Sequence, residues 1–342
     1  MAEDFRAEVR FPAAQLLQGS SNRGLTRLAA LRANSRLLRA RFASAGYLPL
    51  VNSSVDVALS ARRAWKRKLS IGYNVFLNAP PRSSGLEPDP AEVPWSGRAT
   101  RWLDPWIARY CVQRILAHSR FQRELYRRIG IPPDRVTVLP HAIDVERVRR
   151  MAGFEEIPGP TNHETVKVFL LRRLVPTKGI REALVACERV SVSRPLELHV
   201  IGRGPLEDEV RRKAVHSVPP FLIRYTPSVD MATALRAMAS ADVVLVPSWY
   251  ELFGMVVLEA MALGRCVIAT ARGGVAEVVR HEATGLLVPP RDEDALTEAL
   301  RRVADDQRLR RTLGDAARRD VDARFAARII APQFLRWVDA VV

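Results

Sequence analysis

Short apolar runs alternate with amphipathic stretches through the second half of the chain. The apolar runs predict strands at 166–171, 196–201, 221–225, 243–246, 266–269 and 285–288. The amphipathic stretches between them predict helices at 180–190, 205–215, 231–239, 255–263 and 292–304. Apolar runs bounded by Gly or Pro and separated by helices indicate βαβ units around a buried parallel sheet. In such sheets, ligands bind beyond the carboxyl ends of the strands.

The first half of the chain shows weaker patterns of the same kind. Strands are predicted at 48–51, 72–77, 115–117 and 136–139, and helices at 24–43 and 119–129. Five prolines predict a loop over residues 80–94. The stretch 151–164 is the predicted interdomain linker. The chain therefore divides into an N-terminal domain over residues 1–150, a second domain over 165–325 and a C-terminal helix over 326–342.

Composition narrows the class of protein. The 342 residues suit about two domains, and 48% hydrophobic against 26% charged residues excludes a disordered chain. No apolar run approaches the roughly 18 residues that cross a bilayer, and the opening MAEDFRAEVR is unlike a secretory signal. Cys111, Cys187 and Cys266 are far apart, which favours buried thiols over disulfides or a zinc site. We therefore expect a cytoplasmic protein without a metal.

Positive charge is concentrated at the start of the chain. The net charge is +16, and residues 1–70 carry 11 Arg and 2 Lys against four acids, a net +9. This asymmetry predicts a polyanionic partner, namely nucleic acid, an anionic membrane or a phosphorylated substrate. An arginine-rich proteome is the alternative explanation. Because no nucleic-acid-binding motif accompanies the charge, we do not expect nucleic acid as a partner.

The predicted helix 24–43 belongs to this basic region. It places Leu28, Leu31, Leu38 and Phe42 on one stripe with arginines on both sides. Such a helix suits the surface of an anionic membrane, and it equally suits the edge of a protein core with snorkelling arginines. Both interpretations stay open from the sequence.

The most informative segment is SWYELFGMVVLEAMALG, which follows the predicted strand 243–246. Gly254 lets a ligand approach the backbone closely, and the helix that begins after it offers free N–H groups to a phosphate or a sugar hydroxyl. Glu251 precedes this helix and can accept hydrogen bonds from a sugar. Glu259 lies about one turn inside the helix and suits the paired hydroxyls of a ribose. Two solvated acids flanking a helix are the alternative.

Three further loops follow predicted strands. LRRLVPTKG places Arg173 and Lys178 five residues apart across a turn, so that both cations can bind one diphosphate and stabilise the charge that develops on a leaving phosphate. An exposed charged turn is the alternative. GRGP is a glycine turn that begins at Gly202. In GGVAE, Gly273 and its neighbour allow close backbone approach, and Glu277 caps or pairs locally.

These segments, in this order, resemble the donor half of the retaining glycosyltransferases of family four, the group 1 glycosyltransferases. The resemblance is carried by RRLVPTKG, GRGP, ADVVLVPSWYELFGMVVLEAMALG, GGVAE and TGLLVPP, over about residues 165–320. ILAHSRF and RVTVLPHAID look more loosely like the end of the family's N-domain. The resemblance implies an α/β protein of GT-B architecture, with two Rossmann-like domains facing a cleft and a C-terminal helix that crosses back to the first domain.

The resemblance also implies roles for individual residues. Arg173 and Lys178 match the pair that holds the donor diphosphate, and Glu251 matches the acid that contacts the donor sugar. These three are the expected catalytic residues. The full expected donor site consists of Arg173, Lys178, Gly202 in the glycine turn, Val229 beside the base, Glu251, Phe253 and Gly254 with their backbone amides, and Glu259 at the ribose.

The chain departs from the family pattern at two places. Arg172 stands where the family has Gly, and there it either crowds the phosphates or adds charge. The family's Gly-Gly loop after the first strand is missing, which predicts a divergent or truncated N-domain whose activity needs another backbone donor or a partner chain. His118 and His141 follow predicted strands, where each can approach the cleft or serve as a structural histidine.

Together these features predict a hexosyltransferase that moves a mannose- or glucose-type sugar, with retention, from a GDP- or UDP-linked donor to a glycan or lipid-linked acceptor. We expect no cofactor besides the donor, and a cytoplasmic location peripheral to the inner face of the membrane. Two alternatives stay open. One is a nucleotide-sugar 2-epimerase of the same fold, and the other is a degenerate, non-catalytic transferase that acts as a membrane- or partner-binding subunit.

Overall fold

A computed structural model of the chain describes residues 114–128, 130–153 and 164–341. The strands are β1 Ile115–Ala117, β2 Val136–Val138, β3 Val166–Leu171, β4 Leu196–Ile201, β5 Phe221–Thr226, β6 Val243–Val246, β7 Cys266–Thr270 and β8 Leu286–Val288. The helices are α1 Arg120–Arg128, α2 Val145–Met151, α3 Ile180–Ser191, α4 Glu207–Val215, α5 Met231–Ala239, α6 Met255–Ala262, α7 Val275–Val278, α8 Glu293–Asp305, α9 Gln307–Arg324 and α10 Ala327–Val341.

Six of the strands form one parallel sheet in the order β5-β4-β3-β6-β7-β8. The chain thus builds the sheet outward from β3 in one direction, returns to the centre and builds outward in the other. This is the doubly wound arrangement of a Rossmann-like domain, in which the order reverses between the two central strands. Here the reversal lies between β3 and β6.

Helices cover both faces of this sheet, which explains why most residues of its strands are apolar. Along β3, Val168 and Leu170 pack into one core with α3 and α8, whereas Phe169 packs into a second core with α5, α6 and α9. All four residues of β6 are buried. Strands covered on both sides lose the polar alternation of half-exposed strands, so the continuous apolar runs predicted the sheet well.

The predicted strands and helices of the second half agree with the structure to within about two residues. The helices α7 and α9 are additions that the pattern did not predict. In the first half, the strand 115–117 and the helix 119–129 are also present, with the helix one residue shorter at each end. The predictions for residues 1–113, which include the basic helix 24–43, and the linker residues 154–163 lie outside the described residues.

The end of the first domain meets the second domain at two adjacent crossings of the chain. The Ile143 N–H donates to the Phe325 carbonyl at 2.9 Å, and the Ala327 N–H donates to the Ile143 carbonyl at 2.9 Å. Beyond the second crossing, α10 packs Ile330 against Leu116, in β1, and Leu139, directly after β2. The C-terminal helix therefore contacts the part of the chain that precedes the first crossing.

Candidate functional site

The sheet order places the loops after β3 and β6 side by side at one edge. These are the loops that carry the two most informative motifs, residues 172–179 and 247–254. In a doubly wound sheet, the crevice at the reversal of strand order is where ligands bind, because the two loops diverge to opposite faces there. The fold thus brings the predicted cationic loop and the predicted acidic loop to the same place.

A glycine allows these two loops to touch. Gly179 has φ +70°, and a Cβ atom there would lie 2.0 Å from the Pro247 carbonyl oxygen. The loops are further joined by the Trp249 N–H, which donates to the Thr177 carbonyl at 2.9 Å. No other residue type has both the backbone freedom and the small size that this approach requires.

Glu251 lies at the centre of the site. One of its carboxylate oxygens, Oε1, accepts hydrogen bonds from Lys178 Nζ at 2.6 Å, Arg172 Nη1 at 2.8 Å and Ser248 Oγ at 3.1 Å. Burial alone would raise the pKa of Glu251, but the cations Arg172 and Lys178 outweigh it and hold the pKa below its usual range. Glu251 is therefore an ionised, buried carboxylate held between two positive charges.

Glu259 is the second acid of the motif and has the opposite character. It lies on α6, which begins at Met255 directly after Gly254, a residue with φ +95°. Burial raises the pKa of Glu259 to about 7, with only a partial offset from the Arg172 cation. Near neutral pH this carboxyl group therefore exchanges between its protonated and ionised forms.

The remaining predicted site residues surround this centre. Phe253 and Gly254 are buried at the start of α6, and Val229, after β5, is half-buried against the second core. Gly202 has φ +155°, and a Cβ there would lie 1.7 Å from the Arg172 carbonyl oxygen. The Arg173 side chain is exposed, and within the described part of the chain no ion pair holds it. The structure thus gathers Lys178 and Glu251, and it adds Arg172, whereas Arg173 points to solvent.

The GGVAE loop, residues 273–277, contacts the backbone of the loop that carries Glu251. Added Cβ atoms at Gly273 and Gly274 would lie 2.1 Å and 2.0 Å from the carbonyl oxygens of Glu251 and Leu252. The Gly274 N–H donates to the Glu251 carbonyl at 2.7 Å. The glycines are therefore needed for contact with the acidic loop, which fixes the backbone of Glu251 in place.

Glu277 acts as a helix cap, one of the two roles expected for it, but the helix it caps is distant in sequence. Its carboxylate accepts hydrogen bonds from the backbone N–H groups of Arg120 and Phe121, at 2.9 Å and 2.8 Å. It therefore caps α1, in the first half of the chain, and the expectation of a local partner was wrong. Nearby, Ser119 Oγ donates to the Leu252 carbonyl at 2.7 Å. Two contacts thus tie the start of α1 to the loops of the site.

His118 and His141 lie at the same junction and stack on each other, with ring centroids 3.5 Å apart. His141 also meets the Phe253 ring edge-on at 5.1 Å. Burial lowers the pKa of both imidazoles, that of His141 to about 3. Both rings are therefore neutral at ordinary pH and pack against each other. This favours a structural role for the two histidines.

Among the described residues, no group of three or more His, Cys, Asp or Glu side chains is arranged to hold a metal ion. Over the same part of the chain, none of the helices has both the length and the apolar character that spanning a membrane requires.

Comparison with known protein families gives matches over most of the chain. Residues 154–320 match the sequence model described as glycosyl transferases group 1. Residues 13–147 match the model described as glycosyltransferase family 4.

Comparison with curated proteins gives relatives at 27–31% identity. The chain is 30% identical to a D-inositol 3-phosphate glycosyltransferase of Kribbella flavida over 300 residues, which are 80% of this chain and 66% of that protein. It is 27% identical over 232 residues to an MMP alpha-(1->4)-mannosyltransferase of Mycolicibacterium hassiacum, which are 66% of this chain and 54% of the relative. The chain thus spans about half to two thirds of the length of these relatives.

Comparison with solved structures shows a shared fold. HepE of Anabaena, solved with UDP and glucose, superposes with a TM-score of 0.68 at 17% identity and covers 92% of this chain and 80% of its own. Sucrose-phosphate synthase of Thermosynechococcus elongatus superposes with a TM-score of 0.67 at 24% identity and covers 95% of this chain and 83% of its own. At these identities the likeness shows the fold alone.

Proposed function

The chain belongs to the group 1 glycosyltransferases and has their GT-B fold, and from that premise we propose that it transfers a hexose from a nucleotide sugar. The donor is GDP- or UDP-linked, the hexose is of the mannose or glucose type, and the reaction retains the configuration of the sugar. The acceptor is a glycan or a lipid-linked molecule.

The observation that carries this proposal is the convergence of Lys178 and Glu251 at the reversal of strand order. Glu251 Oε1 and Lys178 Nζ are 2.6 Å apart, and both side chains are largely buried. When a donor binds, its diphosphate competes for the Lys178 ammonium, and Glu251 then accepts hydrogen bonds from the sugar hydroxyls. Lys178, together with the exposed Arg173, stabilises the negative charge that develops on the departing diphosphate. The acceptor attacks the sugar from the same face from which the diphosphate departs, so no protein nucleophile is needed.

The nucleoside part of the donor is assigned to the neighbouring elements. We assign the Glu259 carboxylate to the ribose hydroxyls, from which it would accept hydrogen bonds as acidic residues do in other nucleotide-binding folds. Val229, at the end of β5, and the turn at Gly202 border the same edge of the sheet. HepE, which shares the fold, was solved with UDP and with UDP-glucose, and this supports a nucleotide sugar as the partner here.

The match of residues 13–147 to the family model supports a two-domain enzyme over a non-catalytic subunit. For the acceptor, the relatives are named for transfer to D-inositol 3-phosphate and for an alpha-(1->4)-mannosyl linkage. We assign the acceptor to the side of the first domain. The basic residues 1–70 would bring the enzyme to the cytoplasmic face of an anionic membrane.

Donor consumption tests this function. UDP- and GDP-hexoses are incubated with the protein, and released nucleoside diphosphate is measured for the wild type, Glu251→Ala, Lys178→Ala and the surface control Glu298→Ala. Loss of one preorganised charge at a reacting centre costs about 10²–10³ in turnover, so we expect that loss in both site variants and wild-type rates in the control. Unchanged turnover in both site variants would refute the assignment.

The same reactions separate the alternatives without an added acceptor. A nucleotide sugar whose sugar has changed, with no free nucleoside diphosphate, would identify a 2-epimerase. Binding of nucleotide without any turnover, even with membrane lipids present, would identify a non-catalytic subunit.

A further inference from the structure

Arg172 is a buried cation that the proposed function does not use. It occupies the position where the family it resembles has Gly, at the end of β3. Only 7% of its side chain is exposed, and Nη1 donates to Glu251 Oε1 at 2.8 Å. Its Nε and Nη2 atoms are also buried, but neither has a hydrogen-bond partner. Buried N–H donors are nearly always paired in proteins, so two free ones on one guanidinium indicate a missing acceptor.

The two free nitrogens are on the same edge of the guanidinium. In the planar side chain, Nε–H and one N–H of Nη2 point in parallel, whereas Nη1 lies on another edge. This fork matches an anion that presents two oxygens side by side, which is the geometry of a carboxylate or a phosphate. Arg172 therefore binds Glu251 with one edge and keeps a complete bidentate edge for a second anion.

The position of Arg172 is fixed by its surroundings. Its backbone N–H donates to the Ile201 carbonyl at 3.0 Å, and its carbonyl lies against Gly202, where even a Cβ would be 1.7 Å away. The side chain donates to Glu251 at 2.8 Å, and its charge also partly offsets the raised pKa of Glu259. The exposed Arg173 next to it has no such constraint.

We propose that Arg172 is a specificity-determining residue of the donor site, whose Nε–Nη2 edge binds a two-oxygen anionic group of the donor. That group is either a phosphate of the diphosphate or the carboxylate of an acidic donor sugar. The inference rests on the proposed function, because it takes the cleft beside Glu251 as the donor site. A residue that only held Glu251 in place would leave the second edge without a role.

Isothermal titration calorimetry of three probes tests the proposal. UDP carries only the diphosphate, UDP-glucose adds a neutral sugar, and UDP-glucuronic acid adds a carboxylate. GDP, GDP-mannose and GDP-mannuronic acid form the guanosine series. The key variant is Arg172→Lys, which keeps the charge beside Glu251 and loses the fork. Arg224→Lys is the matched control, because Arg224 forms a 2.9 Å ion pair with Glu197 on the surface.

We expect Arg172→Lys to weaken binding at least tenfold and Arg224→Lys to leave it unchanged. Equal weakening of all three probes of a series assigns the fork to the diphosphate, whereas weakening of the uronic acid donor alone assigns it to a sugar carboxylate. Wild-type affinity of Arg172→Lys for every probe would overturn the proposal. If the wild type bound no nucleotide at all, the proposed function itself would fail, which is a different result.

Folding of the variants is checked by thermal unfolding without ligand. Should Arg172→Lys prove unfolded, Arg172→Gln replaces it, because glutamine can still donate to Glu251 and also lacks the fork. The same binding outcomes then decide the proposal.

Discussion

Glu251 and Glu259 are eight residues apart on one loop and helix, yet their pKa values shift in opposite directions. Two cations within hydrogen-bond distance keep Glu251 ionised. Glu259 has no such contact in the described part of the chain, so burial raises its pKa to about 7. The two pKa values shift in opposite directions because Glu251 has direct ion pairs, and not because one carboxyl group is buried and the other exposed.

The raised pKa of Glu259 predicts a pH-dependent cost in stability. Its pKa rises from 4.5 to about 7 on folding, so the folded state retains a proton that the unfolded chain loses as the pH rises from about 4.5 through 7. At one pKa unit per about 1.4 kcal/mol, Glu259→Gln should raise the free energy of unfolding by up to about 3 kcal/mol at pH 8 and change it little at pH 4.

Urea unfolding of the wild type and Glu259→Gln at pH 4, 6 and 8 measures this effect, with the exposed Glu298→Gln as control. A constant difference between Glu259→Gln and the wild type at all three pH values would contradict it.

Glu259→Gln should also weaken nucleotide binding about tenfold, since the amide loses one charged acceptor for the ribose.

Gly179 is the residue on which the contact between the two site loops depends. Gly179→Ala should destabilise the protein by more than about 2 kcal/mol and abolish nucleotide binding, because its Cβ would overlap the Pro247 carbonyl. Gly153→Ala is a matched control. Gly153 also has a left-handed φ, +78°, but nothing lies within 4 Å of an added Cβ, so it carries only the backbone cost of about 1 kcal/mol. Equal effects of the two substitutions in denaturant unfolding would contradict the packing argument.

At the scale of elements, the helix α1 depends on a cap from the opposite half of the chain. Glu277→Ala removes the acceptor of the Arg120 and Phe121 N–H groups, and it should cost about 1–2 kcal/mol. Because the cap also joins the two halves, amide hydrogen exchange should become faster over residues 120–128.

Asp292→Ala is the control for this prediction. Asp292 caps α8 by accepting from the Ala295 N–H at 2.8 Å, so its loss removes a cap of the same kind inside the second domain. It should lower stability by a similar amount and leave the exchange of residues 120–128 unchanged. If amide hydrogen exchange over residues 120–128 were as slow in Glu277→Ala as in the wild type, the cap would not stabilise the junction.

The elements themselves could be predicted because the strands of the main sheet are short, mainly apolar runs and the helices between them are amphipathic. The partners of individual side chains could not be predicted. Glu277 lies 157 residues from Arg120 along the chain, and no local pattern encodes that pairing. The direction of Arg172 was equally hidden, because two adjacent arginines look alike in sequence, and only the folded structure shows that Arg172 is buried and Arg173 exposed.

At the scale of the whole molecule, the charge distribution separates the two ends of the proposed reaction. The cations that we assign to the donor, Arg173 and Lys178, come from the second domain, whereas the net +9 lies in residues 1–70. If this excess charge serves an anionic membrane, the protein should float with liposomes that contain anionic phosphatidylglycerol at 50 mM salt. It should dissociate at about 500 mM salt, because screening shortens the range of surface charge. Neutral phosphatidylcholine liposomes are the control, and equal flotation with both lipids would contradict an electrostatic role.

The paired crossings at Ile143 and Phe325–Ala327 have a mechanical consequence. Two separate single-chain connections would let the two halves of the molecule twist, slide and bend independently. Hydrogen bonds in both directions join the two crossings. The pair should therefore act as one flat hinge, which bends easily in one direction and resists twisting. Opening and closing of the cleft should therefore follow a single rotational coordinate. For this rotation to open the cleft, the hydrogen bonds that join Glu277 and Ser119 to the opposite half must break.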